Sequence, residues 1–490
     1  MAVTFVNGKA VTFGGLVLDV IDYNPLRLPR FTIRVKYLGG EEPSVEKGTK
    51  TLVDPVNNIW DIKYENPDWS LLFSREIYLS DILGANLVGV NDLYYTFNDC
   101  ANLSSVALFD VSTVSSLYGT FYYCDNLSSI PLFDTKNVTI TRGMLGMCSA
   151  LSAVPKYNTS NVQYMQGMFN SCSALTKIEK YNTSNVIMLD RLYKNCYSLN
   201  SVPQLDTSNV TSMKELYSNC TGLTSVPQID TSNVTNMAGI YYNCSGLSSV
   251  PSADTSNATN MSAMYYNCIG LTSVPSADTS NVTSMSAMYY NCSGLTTVPA
   301  LNTSSVTNMA MLYYNCSALT SVPELNTSNV TSMYQMYYNC RGLTAIPSAD
   351  TSNVTSMYAT YYNCRKLKTI PSADTSKVTN MAYAFAYCYA IKNIPLFNTS
   401  AVTNMAWMAG NCTGLSAIPL FDTTNVVNMN SAFINCNNVK EGALALYQQA
   451  STQATPPSAH TNTFNGCGIN TETGAAELEQ IPTSWGGTAT

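Results

Sequence analysis

Apolar and polar residues along this chain follow one pattern that returns every 24 positions. One copy reads Thr231-Ser232-Asn233-Val234-Thr235-Asn236-Met237, then Ala238-Gly239-Ile240-Tyr241-Tyr242-Asn243-Cys244, then Ser245-Gly246-Leu247-Ser248-Ser249-Val250-Pro251. Counted from the cysteine, Val lies at −10, Met at −7, Met, Ile or Leu at −4 and Tyr or Phe at −3. At about 100° per residue these positions and the cysteine fall within about 120° of each other, which predicts a short amphipathic helix from Val234 to Cys244. Thr231, Ser232 or Asn233 would cap it through a side-chain oxygen. Leu at +3 and Val or Ile at +6 then flank a short extended piece, stopped by a proline that cannot donate to a ladder.

The cysteines fix the register. They recur without insertion or deletion from Cys100 to Cys436. A fixed period in the range of about 20 to 50 residues marks a solenoid, in which each unit buries its apolar face only against its neighbours. The expected fold class is therefore α/β, a curved, leucine-rich-repeat-like solenoid of 24-residue units, each a short strand plus a short helix. It has three parts: a β-rich N-terminal anchoring or capping module (1–83), the solenoid (84–440), and a C-terminal cap and tail (441–490).

Within the first part, the residues around Asn7-Gly8 read as a hairpin with a type I′ turn. Phe31, Ile33, Val35 and Tyr37 alternate with polar residues and predict a half-buried strand, and Ile59 to Tyr64 predict another. Asp68 would cap a helix from Trp69 to Leu83 that covers the first repeat. At the far end Cys436 and Cys467 are 31 residues apart; the extra length holds a helix former, Glu441 to Ala450, before Phe464-Asn465-Gly466-Cys467 imitates one last repeat. Residues 483–490 read as a Gly/Thr tail.

The unit resembles the BspA-type leucine-rich repeats and the related "MFxxCxxL…DTSNVTxM" repeats of bacterial and mycoplasmal surface proteins. Phe169 to Cys172 and Leu175, with Asn161-Val162 ahead of Met165, carry the resemblance, which runs from about Val90 to Val439. The flanks, Lys47-Gly48-Thr49 to Trp60-Asp61 and Gly442 to Ala450, resemble those of repeat proteins encoded by phages of gut Bacteroides.

Composition narrows the functions. With 46% hydrophobic and 11% charged residues the chain has ample core material, and its net charge of −7 offers no basic stripe for nucleic acid. The longest early apolar stretch, Leu16 to Ile21, contains Asp19 and is far short of a membrane span. No basic segment followed by an apolar run marks a secretory signal. The cysteines lie a whole repeat apart with no CxxC pair, and His460 is the one histidine. Buried reduced thiols are therefore expected, with no metal and no cofactor. A single histidine, with no Gly-rich phosphate loop, points away from an enzyme.

The most distinctive polar feature is a second tyrosine, at −2, in Tyr242, Tyr266, Tyr290, Tyr314, Tyr338 and Tyr362. These phenols either bind a sugar or a partner surface or pack on one another as a structural ladder. Asp or Asn at +10, from Asp206 to Asp422, suits turn chemistry as well as calcium. The expected function is a phage virion protein whose N-terminal module joins other virion proteins while the solenoid meets a host-surface glycan or protein. The alternative is a bacterial cell-surface repeat protein binding proteins or glycans. Self-association into a homo-oligomer is allowed by both.

Overall fold

The structure is a computed structural model that describes residues 5–6, 9–10 and 28–489. Strands β1 (Phe5–Val6) and β2 (Lys9–Ala10) pair antiparallel. The predicted Asn7-Gly8 turn and the Leu16 to Ile21 stretch lie outside the described residues. A five-stranded sheet follows, built from β3 (Thr32–Tyr37), β4 (Thr49–Asp54), β5 (Ile59–Lys63), β6 (Leu79–Asn86) and β7 (Ser105–Val106). Its order is β4-β5-β3-β6-β7, antiparallel except for the last pair. Strand β3 buries Ile33, Val35 and Tyr37 and leaves Arg34 and Lys36 half-buried, as its alternation requires.

No α-helix forms between Val234 and Cys244, nor in the equivalent residues of the other copies. Each copy instead winds through overlapping turns. The N–H groups of Ile240, Tyr242 and Cys244 donate to the carbonyls three residues back, Met237, Gly239 and Tyr241. The alternate N–H groups, of Met237, Gly239, Tyr241 and Asn243, donate to Asn260, Ser262, Met264 and Tyr266 in the next copy. The backbone bonds are therefore divided between those that close the turns and those that stitch copies together, while Ala238 N–H donates to the Asn236 side chain at 3.1 Å. The geometry needs a left-handed residue at −5 and another at −1, and Gly239 (φ 61) and Asn243 (φ 57) supply them. Asn tolerates that region better than most residues, which is why it dominates at −1.

The predicted strand from +3 to +6 is formed only by β7 among the copies. Elsewhere some copies make a single contact, such as Thr296 N–H to Thr272 O at 3.2 Å, ahead of a proline that cannot donate. Parallel bridges link residues 24 apart from Asp68–Asp92 to Asn404–Asn428. The buried columns are those the pattern picked out: Val234, Met237, Ile240, Tyr241, Cys244 and Leu247 are all at most 4% exposed.

The Asp-Thr-Ser-Asn run does not cap a helix. Asp230 Oδ1 accepts from the Ser232 N–H at 2.9 Å, closing a local turn. Thr231, buried, donates through Oγ1 to the Asp254 carbonyl of the next copy at 2.6 Å. Asn233 Nδ2 donates to the Ser208 carbonyl of the preceding copy at 2.7 Å. Three side chains thus hold one turn and two neighbours.

The helix expected from Trp69 to Leu83 is also absent. Residues 69–76 wind like a repeat, with Trp69, Leu71, Phe73 and Arg75 donating to Asp92, Tyr94, Thr96 and Asn98 one copy on. Glu76 stands where the cysteine would, buried, accepting from Tyr37 Oη at 3.0 Å and from Ser44 N at 3.2 Å. The sheet and the solenoid are therefore continuous through β6. At the far end Met429, Ser431, Phe433 and Asn435 donate to Ala459, Thr461, Thr463 and Asn465, beyond helix α1 (Ala443–Thr452). The predicted tail is packed: after α2 (Glu472–Leu478), Trp485 is 6% exposed, stacks on His460 at 4.3 Å and accepts the Phe464 N–H.

Candidate functional site

The six tyrosines at −2 come together in one column. Ring centroids from Tyr242 through Tyr266, Tyr290, Tyr314 and Tyr338 to Tyr362 are 4.3–4.5 Å apart, with interplanar angles of 2–9°. Both faces of each internal ring are covered by its neighbours, so only edges and hydroxyls meet solvent, and each residue is half-buried. Stacking of a sugar on an internal ring face is closed to a ligand. Inside the solenoid a second column, from Phe169 and Tyr193 through Tyr361 to Phe385, stacks at 5.5–6.0 Å.

The Asn side chains at −1 form an amide ladder of their own, as in Asn243 Nδ2 to Asn219 Oδ1 at 2.8 Å. All sixteen cysteines are free and buried. Each thiol in the run donates to the −3 carbonyl of the preceding copy, Cys244 Sγ to Tyr217 O at 3.0 Å. Burial pushes the Cys244 thiol up to about 12. Thiolate chemistry is therefore suppressed at neutral pH. Among the described residues no group of three or more His, Cys, Asp or Glu side chains is set to hold a metal. The exposed carboxylates Asp230, Asp254 and Asp278 are instead held below their ordinary range by hydrogen bonds from Ser232, Ser256 and Ser280.

The tyrosine column is interrupted between Tyr122 and Tyr242, where −2 is occupied by Gly146, Asn170, Lys194 and Ser218. Position −5 is glycine in three successive copies, Gly119, Gly143 and Gly167. Around Gly143, Gly167 and Asn170 the small side chains leave a groove of about 390 Å³. Tyr95, Tyr118 and Tyr122 wall one end, and Arg142, Gln166, Asn170, Asp190, Arg191 and Lys214 line the rest. Tyr122 lies over Gly146, where a Cβ would come within 2.7 Å of its ring. Arg142 sits over the Tyr118 ring at 5.2 Å. Glu215 is bound by Arg191 at 2.6 Å and Lys194 at 2.8 Å. Burial raises its pKa, but these hydrogen bonds outweigh that and hold the carboxyl below its ordinary value. Sequence reasoning missed this groove because its cations are spread over 73 residues, from 142 to 214. Writing the copies as columns would have found it, since Arg142, Gln166, Asp190 and Lys214 all stand at −6.

No helix among the described residues is long and apolar enough to cross a membrane. No curated protein matches the sequence. Among solved structures the chain is similar to a leucine-rich repeat protein from Bacteroides ovatus ATCC 8483, at 16% identity over 78% of this chain and 90% of that one, with a TM-score of 0.33. It is similar also to a leucine-rich repeat protein from Eubacterium ventriosum ATCC 27560, at 17% identity over 62% and 80%, with a TM-score of 0.35. One sequence family matches in five overlapping stretches, residues 91–202, 172–273, 199–296, 269–369 and 343–446. With most of its length so matched, the chain belongs to the family described as "Mycoplasma protein of unknown function, DUF285".

Proposed function

We propose that this chain is a bacterial surface repeat protein whose solenoid is a binding surface for glycans or proteins. The observation that carries the reading is the outer face itself. Columns of phenol, amide and hydroxyl groups recur there at ladder spacing, on a stack whose backbone is bonded within and between copies. Such a surface offers many equivalent weak contacts, which add through avidity on a repetitive partner. The family's description names mycoplasmas, which are bacteria, and supports the bacterial reading. The virion reading, which rested on the flanks, finds no support in these comparisons and is set aside. In this proposal residues 1–83 cap or anchor the stack, 84–440 present the surface in a curved form, and 441–490 close the far end. No catalytic role is proposed.

Protease treatment of intact producing cells tests the location: peptides from residues 100–436 should be released without cell lysis. Recovery of the chain only in the cytoplasmic fraction, or with purified phage particles, would overturn the reading.

A further inference from the structure

We propose that the groove between Tyr122 and Lys214 binds acidic sugar units of a polysaccharide, with Arg142 at one end and Lys214 at the other each taking a carboxylate. The inference rests on the reading of the solenoid as a binding surface and names the ligand class that one part of it takes. Three observations converge. The groove, at about 390 Å³, falls within the roughly 300–1,000 Å³ span of ligand clefts. It exists because four successive copies omit the tyrosine that fills the −2 column from Tyr242 to Tyr362, and because two of those copies have glycine, Gly143 and Gly167, at −5. It is also where cations gather. Between Glu215 and Cys340 the chain has no Lys or Arg at all, whereas the groove and its rim hold Arg142, Arg191, Lys194 and Lys214.

The carboxylates there are already engaged. Glu215 is bound by Arg191 and Lys194. Asp190 accepts from Ser212 Oγ and from the Lys214 N–H, the latter at 2.8 Å. Among the described residues no carboxylate pairs with the side chain of Arg142 or Lys214, and Arg142 sits over the Tyr118 ring. A guanidinium seated over an aromatic ring keeps its fork of donors available for a planar carboxylate.

The remaining lining selects a sugar over an acidic peptide. Gln166 spends its Nε2 on Met188 Sδ at 3.1 Å, and its buried Oε1 has no partner among the described residues. That oxygen needs a donor, as any buried acceptor does. A uronic acid carries hydroxyl donors on the same ring as its carboxylate, whereas the donors of an acidic peptide are backbone N–H groups set apart from the carboxylate by the side chain. Tyr95, Tyr118 and Tyr122, tilted or edge-on to one another rather than stacked face to face, offer the amphipathic wall on which a sugar ring rests.

The test is titration calorimetry of the full chain with a hexamer of galacturonic acid and with the neutral galactose hexamer of the same linkage. The acidic hexamer should bind at least tenfold more tightly, and the double substitution R142Q/K214Q should abolish that preference. A control, R341Q/K377Q, removes equal charge elsewhere and should leave it unchanged. The groove assignment is overturned if the control costs as much as the groove pair, or if the acidic and neutral hexamers bind alike. Equal affinity for a glutamate hexapeptide would overturn the sugar class in favour of a peptide. All of these outcomes are separate from the cell-surface experiment, so the groove can fail while the surface reading stands.

Discussion

The stacked tyrosines at −2 should be a stabilising ladder, and a double-mutant cycle can measure it. Tyr290 lies 4.3 Å from Tyr266 and 4.4 Å from Tyr314, nearly parallel to both. An aromatic pair contributes about 0.5–1.5 kcal/mol beyond its area burial, so Tyr290→Ser should cost about 1–3 kcal/mol from its two pairs alone. Tyr266→Ser should cost as much. The double variant loses their shared pair only once, so it should be less destabilised than the sum of the singles by about 0.5–1.5 kcal/mol. Tyr242 and Tyr338 share no contact, and their cycle should close within about 0.3–0.5 kcal/mol. Urea unfolding monitored by far-UV circular dichroism reads all four corners. Binding of the acidic hexamer per folded molecule should be unchanged, since the groove is lined by none of the tyrosines from Tyr242 to Tyr362. A closed cycle at 266/290, or intact stability with lost binding, would refute the ladder.

Three further perturbations follow from the same geometry. Burial raises the Cys292 thiol from its ordinary 9.0 to about 12, so the folded state holds protons that the unfolded chain releases; stability should be full below about pH 9 and decline toward pH 12, seen as a falling urea midpoint, with few thiols labelled by a thiol reagent at pH 8 until denaturant is added. Asn291 has φ 56, so Asn291→Val places a β-branched residue in the left-handed region and should cost about 1–2 kcal/mol more than Asn291→Gly, measured by the same melts. Thr279 is fully buried and donates to the carbonyl of the exposed Asn302 at 2.7 Å; Thr279→Val keeps the shape, removes that bond and should cost about 0.5–1.5 kcal/mol, with faster amide exchange at the neighbouring copies as the local readout.

The core was legible in the sequence and the backbone path was not, for one physical reason. Apolar residues at −10, −7, −4, −3 and 0 have helical spacing, but consecutive turns with alternating left-handed residues place the same positions inward. What separates the two is where the alternate N–H groups go. In a helix they stay in the chain, and here they cross to the next copy. The left-handed residues were the readable sign: glycine at 119, 143, 167 and 239 and asparagine at most −1 positions are poor choices for a helix interior and good ones for positive φ. Glu76 hid a whole unit, because its carboxylate fills the place of the thiol and turns toward Tyr37 and Ser44 instead of toward the preceding copy.

The same logic explains why the groove and the ladder exclude each other. A solenoid of identical copies stacks identical side chains, and large flat ones close the surface by covering one another, as the phenols do from Tyr242 to Tyr362. Recognition of a single chemical group then requires copies that differ. The copies around Cys124 to Cys220 differ most at the outward positions −6, −5 and −2 while keeping Cys at 0 and Leu at +3. Their buried residues preserve the stack, and glycine at −5 opens space above it. Restoring a tyrosine at 170 should therefore extend the ladder's chemistry into the groove and reduce binding there, without loss of stability. If Asn170→Tyr instead lowers the urea midpoint, the −2 columns on the two sides of the groove are not equivalent positions of one surface.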